Sequence, residues 1–308
     1  WSDLTGAAST QAATTGAGGS AAAAANASVA RVQPKGSASS SEPVSSSARD
    51  AVYTVTGGTS GVTSTVLVQL PPGYADPANS SRRYPVLMGF GGYPSTVSQL
   101  ATGFHVSDTL ASLQSQHRLA ATIAVFVQPW SPAGRDTECV NGPGGTAAGD
   151  QVATWAGVDV PEWLRAHFRT ADMRSSWATW GISAGAYCAS AVAMLHPETF
   201  SAAVSLAGYF RPEWGNWHPF AAADPRAQTY DLVALAAKTP PPVALWLFAS
   251  KVDALAYPAT VEFMAAARPP LSITAQIAAS GGHRYTAWTP WFPVALAWLA
   301  RTARGFAP

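Results

Sequence analysis

The stretch Trp177-Ala-Thr-Trp-Gly-Ile-Ser-Ala-Gly-Ala-Tyr-Cys188 constrains this chain more than any other. An aromatic and β-branched run ending at Ile182 has the composition of a buried strand, and a small-residue segment of helical character continues to His196. Ser183 stands between them, flanked by Gly181 and Gly185, so strand must turn into helix within a few residues. Gly-x-Ser-x-Gly in that setting predicts a very tight turn, where flanking side chains larger than glycine collide with the adjoining strand and helix. Such a turn lifts Ser183 Oγ above a sheet and aims the Ala184 amide, at the start of the helix, toward whatever the serine attacks. In a chain so rich in Gly, Ala and Ser the five-residue pattern alone is weak. Its context requires a base, an acid and a second oxyanion donor elsewhere.

The rest of the chain supplies a frame for that turn. Residues 51–56 and 63–70 read as two strands split by a glycine turn, 84–90 as a buried strand running into Gly91-Gly92-Tyr93-Pro94, and 121–128 as the next strand. Helical periodicity covers 106–116. Helix is expected again over 150–168, with Asp159 ahead of Pro161 marking an internal restart. Residues 200–206, 243–249 and 271–278 read as strands, and 230–237, 258–267 and 293–304 as helices. Two irregular stretches stand out: 129–149, carrying Trp130, Arg135, Asp136, Glu138 and Cys139, and the Trp-rich 207–227. Strands alternating with helices through crossover-length connections predict an α/β fold, a mostly parallel central sheet with helices on both faces.

Residues 1–50 are dominated by Ala, Ser, Thr and Gly and offer little apolar bulk, so they are expected to be a low-complexity linker or tether. Residues 51–308 then form one catalytic-size domain. Charged residues are 11% of the 308 and the net charge is +1, against about 25% charged in an average domain. Nothing here calls for nucleic acid. No apolar run is long enough to span a bilayer. The chain begins at Trp1, as expected of a processed form, with a membrane or cell-wall tether expected ahead of it.

A serine hydroxyl needs a base to take its proton, and the base needs a third group to fix its tautomer. His283 follows the last expected strand in Gly281-Gly282-His283, at the sheet end where Ser183 also sits. His105, His117, His167, His196 and His218 read as surface or capping residues. Asp253 lies in the loop after residues 243–249, at the carboxyl end of its strand, and Glu262 on the following helix is its rival. Two N–H donors must face the oxyanion: Ala184 is one, and the glycine turn after Phe90 offers Tyr93 first and Gly92 second. Trp214, Trp217 and Trp288 are candidates for walling a substrate site. Cys139 and Cys188 fit no metal pattern. They are either separate buried thiols or, as an exported chain favours, a disulfide joining the long loop to the serine helix.

With Ser183, Asp253 and His283 in that chain order, the region from Tyr84 to Phe306 resembles the esterase D and antigen 85 (mycolyltransferase-like) branch of the α/β-hydrolases. The resemblance rests on Tyr84-Pro-Val-Leu leading to a glycine turn, on Gly-Ile-Ser-Ala-Gly followed by His196-Pro197-Glu198-x-Phe200, and on Gly281-Gly282-His283 with Trp288. It implies a secreted or cell-envelope serine esterase or acyltransferase with no cofactor and no metal, and an oxyanion amide just after the glycine turn, here Tyr93. Antigen 85-like members use a glutamate as the acid, which points to Glu262, and esterase D-like members an aspartate, which points to Asp253. The function expected is ester hydrolysis through an acyl-enzyme on a small-molecule, lipid or glycan ester. Acyl transfer to a sugar or envelope acceptor, and a non-catalytic envelope-binding protein on the same fold, are the alternatives.

Overall fold

A computed structural model describes residues 39–40, 45–46, 49–130, 134–142, 151–213, 219–221 and 223–308. Its strands are β1 (Ser39–Ser40), β2 (Ser45–Ser46), β3 (Asp50–Thr56), β4 (Thr63–Gln69), β5 (Val86–Phe90), β6 (Ile123–Val127), β7 (Trp177–Ile182), β8 (Ala202–Leu206), β9 (Ala244–Ser250) and β10 (Ser272–Ala278). They join one sheet in the order β1-β3-β4-β6-β5-β7-β8-β9-β10, with β2 also paired to β3. From β6 to β10 every pairing is parallel. On the other side β4 meets β6 antiparallel and β3 meets β4 antiparallel.

Composition explains which strands are central. β5, β6, β7 and β8 are buried at every position and read as nearly unbroken apolar runs, as strands covered on both faces must. β3 and β4 carry threonines and leave much of their surface half-buried, which suits the antiparallel edge.

The helices are α1 (Val97–Gly103), α2 (Val106–Ser115), α3 (Val152–Thr154), α4 (Val160–His167), α5 (Ala184–Leu195), α6 (Pro225–Thr229), α7 (Leu232–Lys238), α8 (Ala256–Ala266), α9 (Tyr285–Trp288) and α10 (Phe292–Thr302). They cover the sheet in two layers. On one face α1, α2 and α10 pack Leu100, Phe104, Leu110, Phe292 and Leu296 against Trp180, Phe126 and Phe248. On the other, α4, α5, α7 and α8 pack Trp163, Tyr187, Val192, Leu232 and Phe263 against Met88, Val125 and Leu247. The fold is therefore the expected α/β-hydrolase arrangement, with the parallel strands pointing their carboxyl ends to one edge.

Several local features differ from the sequence expectation: β1 and β2 pair with β3 from within residues 1–50, read as a linker, and α9 falls where no helix is expected. α1 is a helix that apolar periodicity does not reveal, yet its start is written in Thr96-x-x-Gln99. Thr96 Oγ1 accepts from the Gln99 amide and the Gln99 side chain accepts from the Thr96 amide, a reciprocal cap. Over 150–168 the helix does not restart at a cap on Asp159. A π turn (Trp155–Asp159) carries α3 into α4, and Asp159 is helical and caps nothing. Its fully buried carboxylate instead accepts from the Thr59 and Ser60 amides at 2.8 and 3.0 Å, pinning the β3–β4 turn. α6 begins inside the stretch 207–227, expected to be irregular, and ends just beyond it.

Candidate active site

Four carboxyl-end loops converge at one edge of the sheet. β5 runs out into Gly91-Gly92, β7 into Ser183, β9 into Asp253 and β10 into His283. Ser183 holds φ 53° and ψ −125°, backbone angles that a side chain tolerates only when the surroundings impose them. Both glycines beside it are required by space: a Cβ on Gly181 would overlap the Gly185 carbonyl, and a Cβ on Gly185 would overlap the carbonyl oxygens of Phe90 and Gly91. The serine's own amide donates to Leu206 O at 3.0 Å, tying the turn to β8.

Ser183 Oγ lies 2.7 Å from His283 Nε2, and His283 Nδ1 lies 2.7 Å from Asp253 Oδ2. With Nδ1 protonated the imidazole donates to the carboxylate and leaves Nε2 to accept the serine proton. Asp253 is 3% exposed. Its other oxygen, Oδ1, accepts from the Leu255 and Ala256 amides at 3.1 and 3.0 Å, so the first turn of α8 fixes the carboxylate and offers it the positive end of the helix. The loop bearing His283 is fastened to the end of β9, where the Gly282 amide donates to Ser250 Oγ at 3.1 Å. Trp288 is buried and stands edge-on to the imidazole, ring centroids 4.9 Å apart.

The rival acid is engaged elsewhere. Arg211 donates to both oxygens of Glu262, at 2.7 and 2.9 Å, and holds that carboxyl below its ordinary range. On the opposite side of the serine, the position of a Cβ on Gly92 lies 3.2 Å from Ser183 Cβ, so the glycine turn packs against Ser183. The Tyr93 hydroxyl donates to Gly134 O at 2.6 Å. Trp214 and Trp217 lie outside the described residues. Among the described residues no group of three or more His, Cys, Asp or Glu could hold a metal ion.

Residues 59–299, well over half of the chain, match the model of the family described as "Putative esterase". The chain belongs to this esterase family. No curated protein matches the esterase's sequence. Among solved structures it is similar to an S-formylglutathione hydrolase from Agrobacterium tumefaciens, at 18% identity over 85% of this chain and 99% of that one, TM-score 0.69. It is similar also to FphF, a fluorophosphonate-binding serine hydrolase of Staphylococcus aureus, at 17% identity over 81% and 97%, TM-score 0.62. MPT51 (FbpC1) of Mycobacterium tuberculosis shares 18% identity over 79% and 95%, TM-score 0.55. At these identities the likeness is one of fold. The family match and these folds agree with the resemblance to the esterase D and antigen 85 branch.

The esterase's cleft above Ser183 encloses about 790 Å³. Gly92, Tyr93, Ile182, His283 and Trp288 line it, joined by Ser95, Gln99 and Thr102 from the α1 region and by Arg284 and Tyr285 from the α9 region. Those last five do not stand out in the sequence. For the α1 group the Thr96-x-x-Gln99 signature is the signal that could have revealed them; for Arg284 and Tyr285 only adjacency to His283 points that way.

Behind α5 the esterase carries a second set of interactions. Cys139 and Cys188 form a disulfide with Cα atoms 5.3 Å apart, joining the long loop to the helix that starts at Ser183. Next to it Glu138 is buried, and the Tyr209 hydroxyl donates to its Oε1 at 2.6 Å. Tyr209 in turn stacks on Tyr187 of α5, centroids 5.5 Å apart. Burial, reinforced by the neighbouring Asp136 carboxylate and opposed by the Tyr209 hydrogen bond, pushes the Glu138 carboxyl up to about 8.

Proposed function

We propose that this esterase hydrolyses carboxylic esters through an acyl-enzyme on Ser183. His283 takes the hydroxyl proton as Oγ attacks the ester carbonyl, and Asp253 orients the imidazole and stabilises the imidazolium that forms. The amides of Ala184 and Tyr93, with Gly92 as the alternative to the second, receive the oxyanion, each worth about 3 kcal/mol of barrier. His283 then protonates the leaving alcohol, and in the second half-reaction it activates water against the acyl-enzyme. The observation that carries this reading is the unbroken chain of two 2.7 Å contacts from Ser183 Oγ through His283 to the buried Asp253 carboxylate.

The disulfide favours an oxidising, extracytoplasmic setting, where such bonds persist. Among the described residues no helix is long and apolar enough to cross a membrane. Transfer of the acyl group to an alcohol differs from hydrolysis only in which nucleophile His283 activates in the second step.

The test is a fluorophosphonate probe together with p-nitrophenyl ester turnover. The wild type is expected to label and to turn over, and Ser183→Ala to do neither while keeping its thermal unfolding profile. A folded wild type that neither labels nor hydrolyses would overturn the proposal in favour of a binding protein.

A further inference from the structure

A second hollow of about 430 Å³ adjoins the reactive cleft, and Tyr93 and Pro94 line both. Its floor is the outer antiparallel part of the sheet. Thr54 on β3 and Thr65 on β4 are directly opposite in the register, so their side chains share one face. Thr63, from the next pair on that same face, also lines the hollow, and its hydroxyl is bonded to Thr56 Oγ1 at 2.9 Å. The hydroxyls of Thr54 and Thr65 carry no side-chain hydrogen bond among the described residues. Gln128 and Trp130 complete the wall.

The aromatic side of this hollow is held rigid. Tyr93 is 45% exposed, yet its hydroxyl is fixed to Gly134 O and its ring stands edge-on to Trp130, centroids 5.3 Å apart. Trp130 and Gln128 both donate to Ser95 O, at 3.1 and 3.3 Å, so the wall is anchored on the same turn that lines the reactive cleft. A fixed, half-exposed aromatic ring beside unengaged hydroxyls can take a ligand with little loss of side-chain freedom.

The chemistry of the lining selects the ligand. No charged side chain is among the described residues that line the hollow, so it pairs no opposite charge with a phosphate, a carboxylate or an ammonium group. The unengaged hydroxyls of Thr54 and Thr65 would be left unpaired by an acyl tail, at a cost. A saccharide meets both requirements, presenting C–H faces to the aromatic ring and hydroxyls to the threonines and Gln128. Because Tyr93 and Pro94 stand between the hollow and the reactive cleft, the occupant must reach over them.

We propose that the hollow floored by Thr54 and Thr65 is a distal subsite for a neutral oligosaccharide chain whose ester is cleaved at Ser183. The proposal rests on the esterase reading above and commits the alcohol side of the substrate to a glycan of two or more rings. The experiment compares p-nitrophenyl acetate with singly acetylated glucose, cellobiose and cellotriose, in the wild type and in Thr54→Val/Thr65→Val. In the wild type kcat/KM is expected to rise about tenfold from the monosaccharide to the trisaccharide ester. The double variant is expected to lose about tenfold on the trisaccharide, borne by KM, for two hydrogen bonds of ordinary strength. Its turnover of p-nitrophenyl acetate is expected to stay at the wild-type level, and Thr54→Ser/Thr65→Ser to restore the preference for length.

A wild type that hydrolyses p-nitrophenyl acetate but shows no response to chain length overturns the subsite and leaves the esterase reading standing. So does a double variant that loses equally on every substrate without rescue by serine. A wild type inactive on all four esters overturns the esterase reading itself.

Discussion

Ser183 is held where its backbone is least comfortable, and the carbonyl groups of Gly185, Phe90 and Gly91 explain why only glycine fits two positions to either side of it. Gly181 and Gly185 leave no room for a methyl group, so the strain at φ 53° is imposed by β5 and α5 closing on the turn. The two candidate acids differ in the same concrete way. Asp253 has one oxygen on the α8 amides and the other on His283, whereas Glu262 is half-exposed and clasped by Arg211. Asp253→Asn is therefore expected to lower kcat on p-nitrophenyl esters by about 10⁴, since the amide favours the wrong imidazole tautomer. Glu262→Gln removes only an exposed ion pair and is expected to change kcat by less than about twofold. Steady-state kinetics of the two variants checks this, and a larger loss in Glu262→Gln would reverse the assignment.

At the scale of elements, the turn at Ser183 is legible because it is local: a strand-forming run, a five-residue turn pattern and a helix-forming run lie within 20 residues of sequence. α1 is less legible, because its seven residues are too few for periodicity and only its cap announces it. Asp159, which ends the π turn ahead of α4, reaches the Thr59 and Ser60 amides across about 100 residues, which no local pattern encodes. The Cys139–Cys188 bridge closes a loop of 49 residues onto α5. Chain entropy makes such a closure worth about 4 kcal/mol. Cys139→Ala/Cys188→Ala is expected to lower Tm by on the order of 10 °C, while p-nitrophenyl ester turnover at 25 °C persists because the sheet itself holds the Ser183 turn. Calorimetry and a turnover assay on the same sample test both halves, and an unchanged Tm would refute the first.

For the whole molecule, Glu138 links global stability to pH. Its carboxyl titrates near 4.5 in the unfolded chain and is pushed up to about 8 in the fold, chiefly by burial and then by Asp136. Between those values the folded protein keeps a proton that the unfolded chain has released. The stabilisation is complete below pH 4.5, declines as pH rises and is gone above about 8; the slope approaches about 1.4 kcal/mol per pH unit. Glu138→Gln stays neutral and can still accept from Tyr209. The difference in Tm between wild type and variant is thus expected to move in the variant's favour from pH 5 to pH 8. Parallel pH profiles of the two proteins would contradict it.

The sequence by itself determines the alternation of strands and helices, the buried centre of the sheet and the turn that presents Ser183, because each depends on residues a few positions apart. It also places Asp253 and His283 on loops after strands. Their meeting is decided only in three dimensions: β9 and β10 lie side by side in parallel register, bringing positions 30 residues apart to 2.7 Å. The same holds for the cleft wall from α1 and α9, for Arg211 drawing off Glu262, and for the threonine floor beside Tyr93. Each joins segments far apart in the chain, and only the packing of layers on a shared sheet fixes which segments become neighbours.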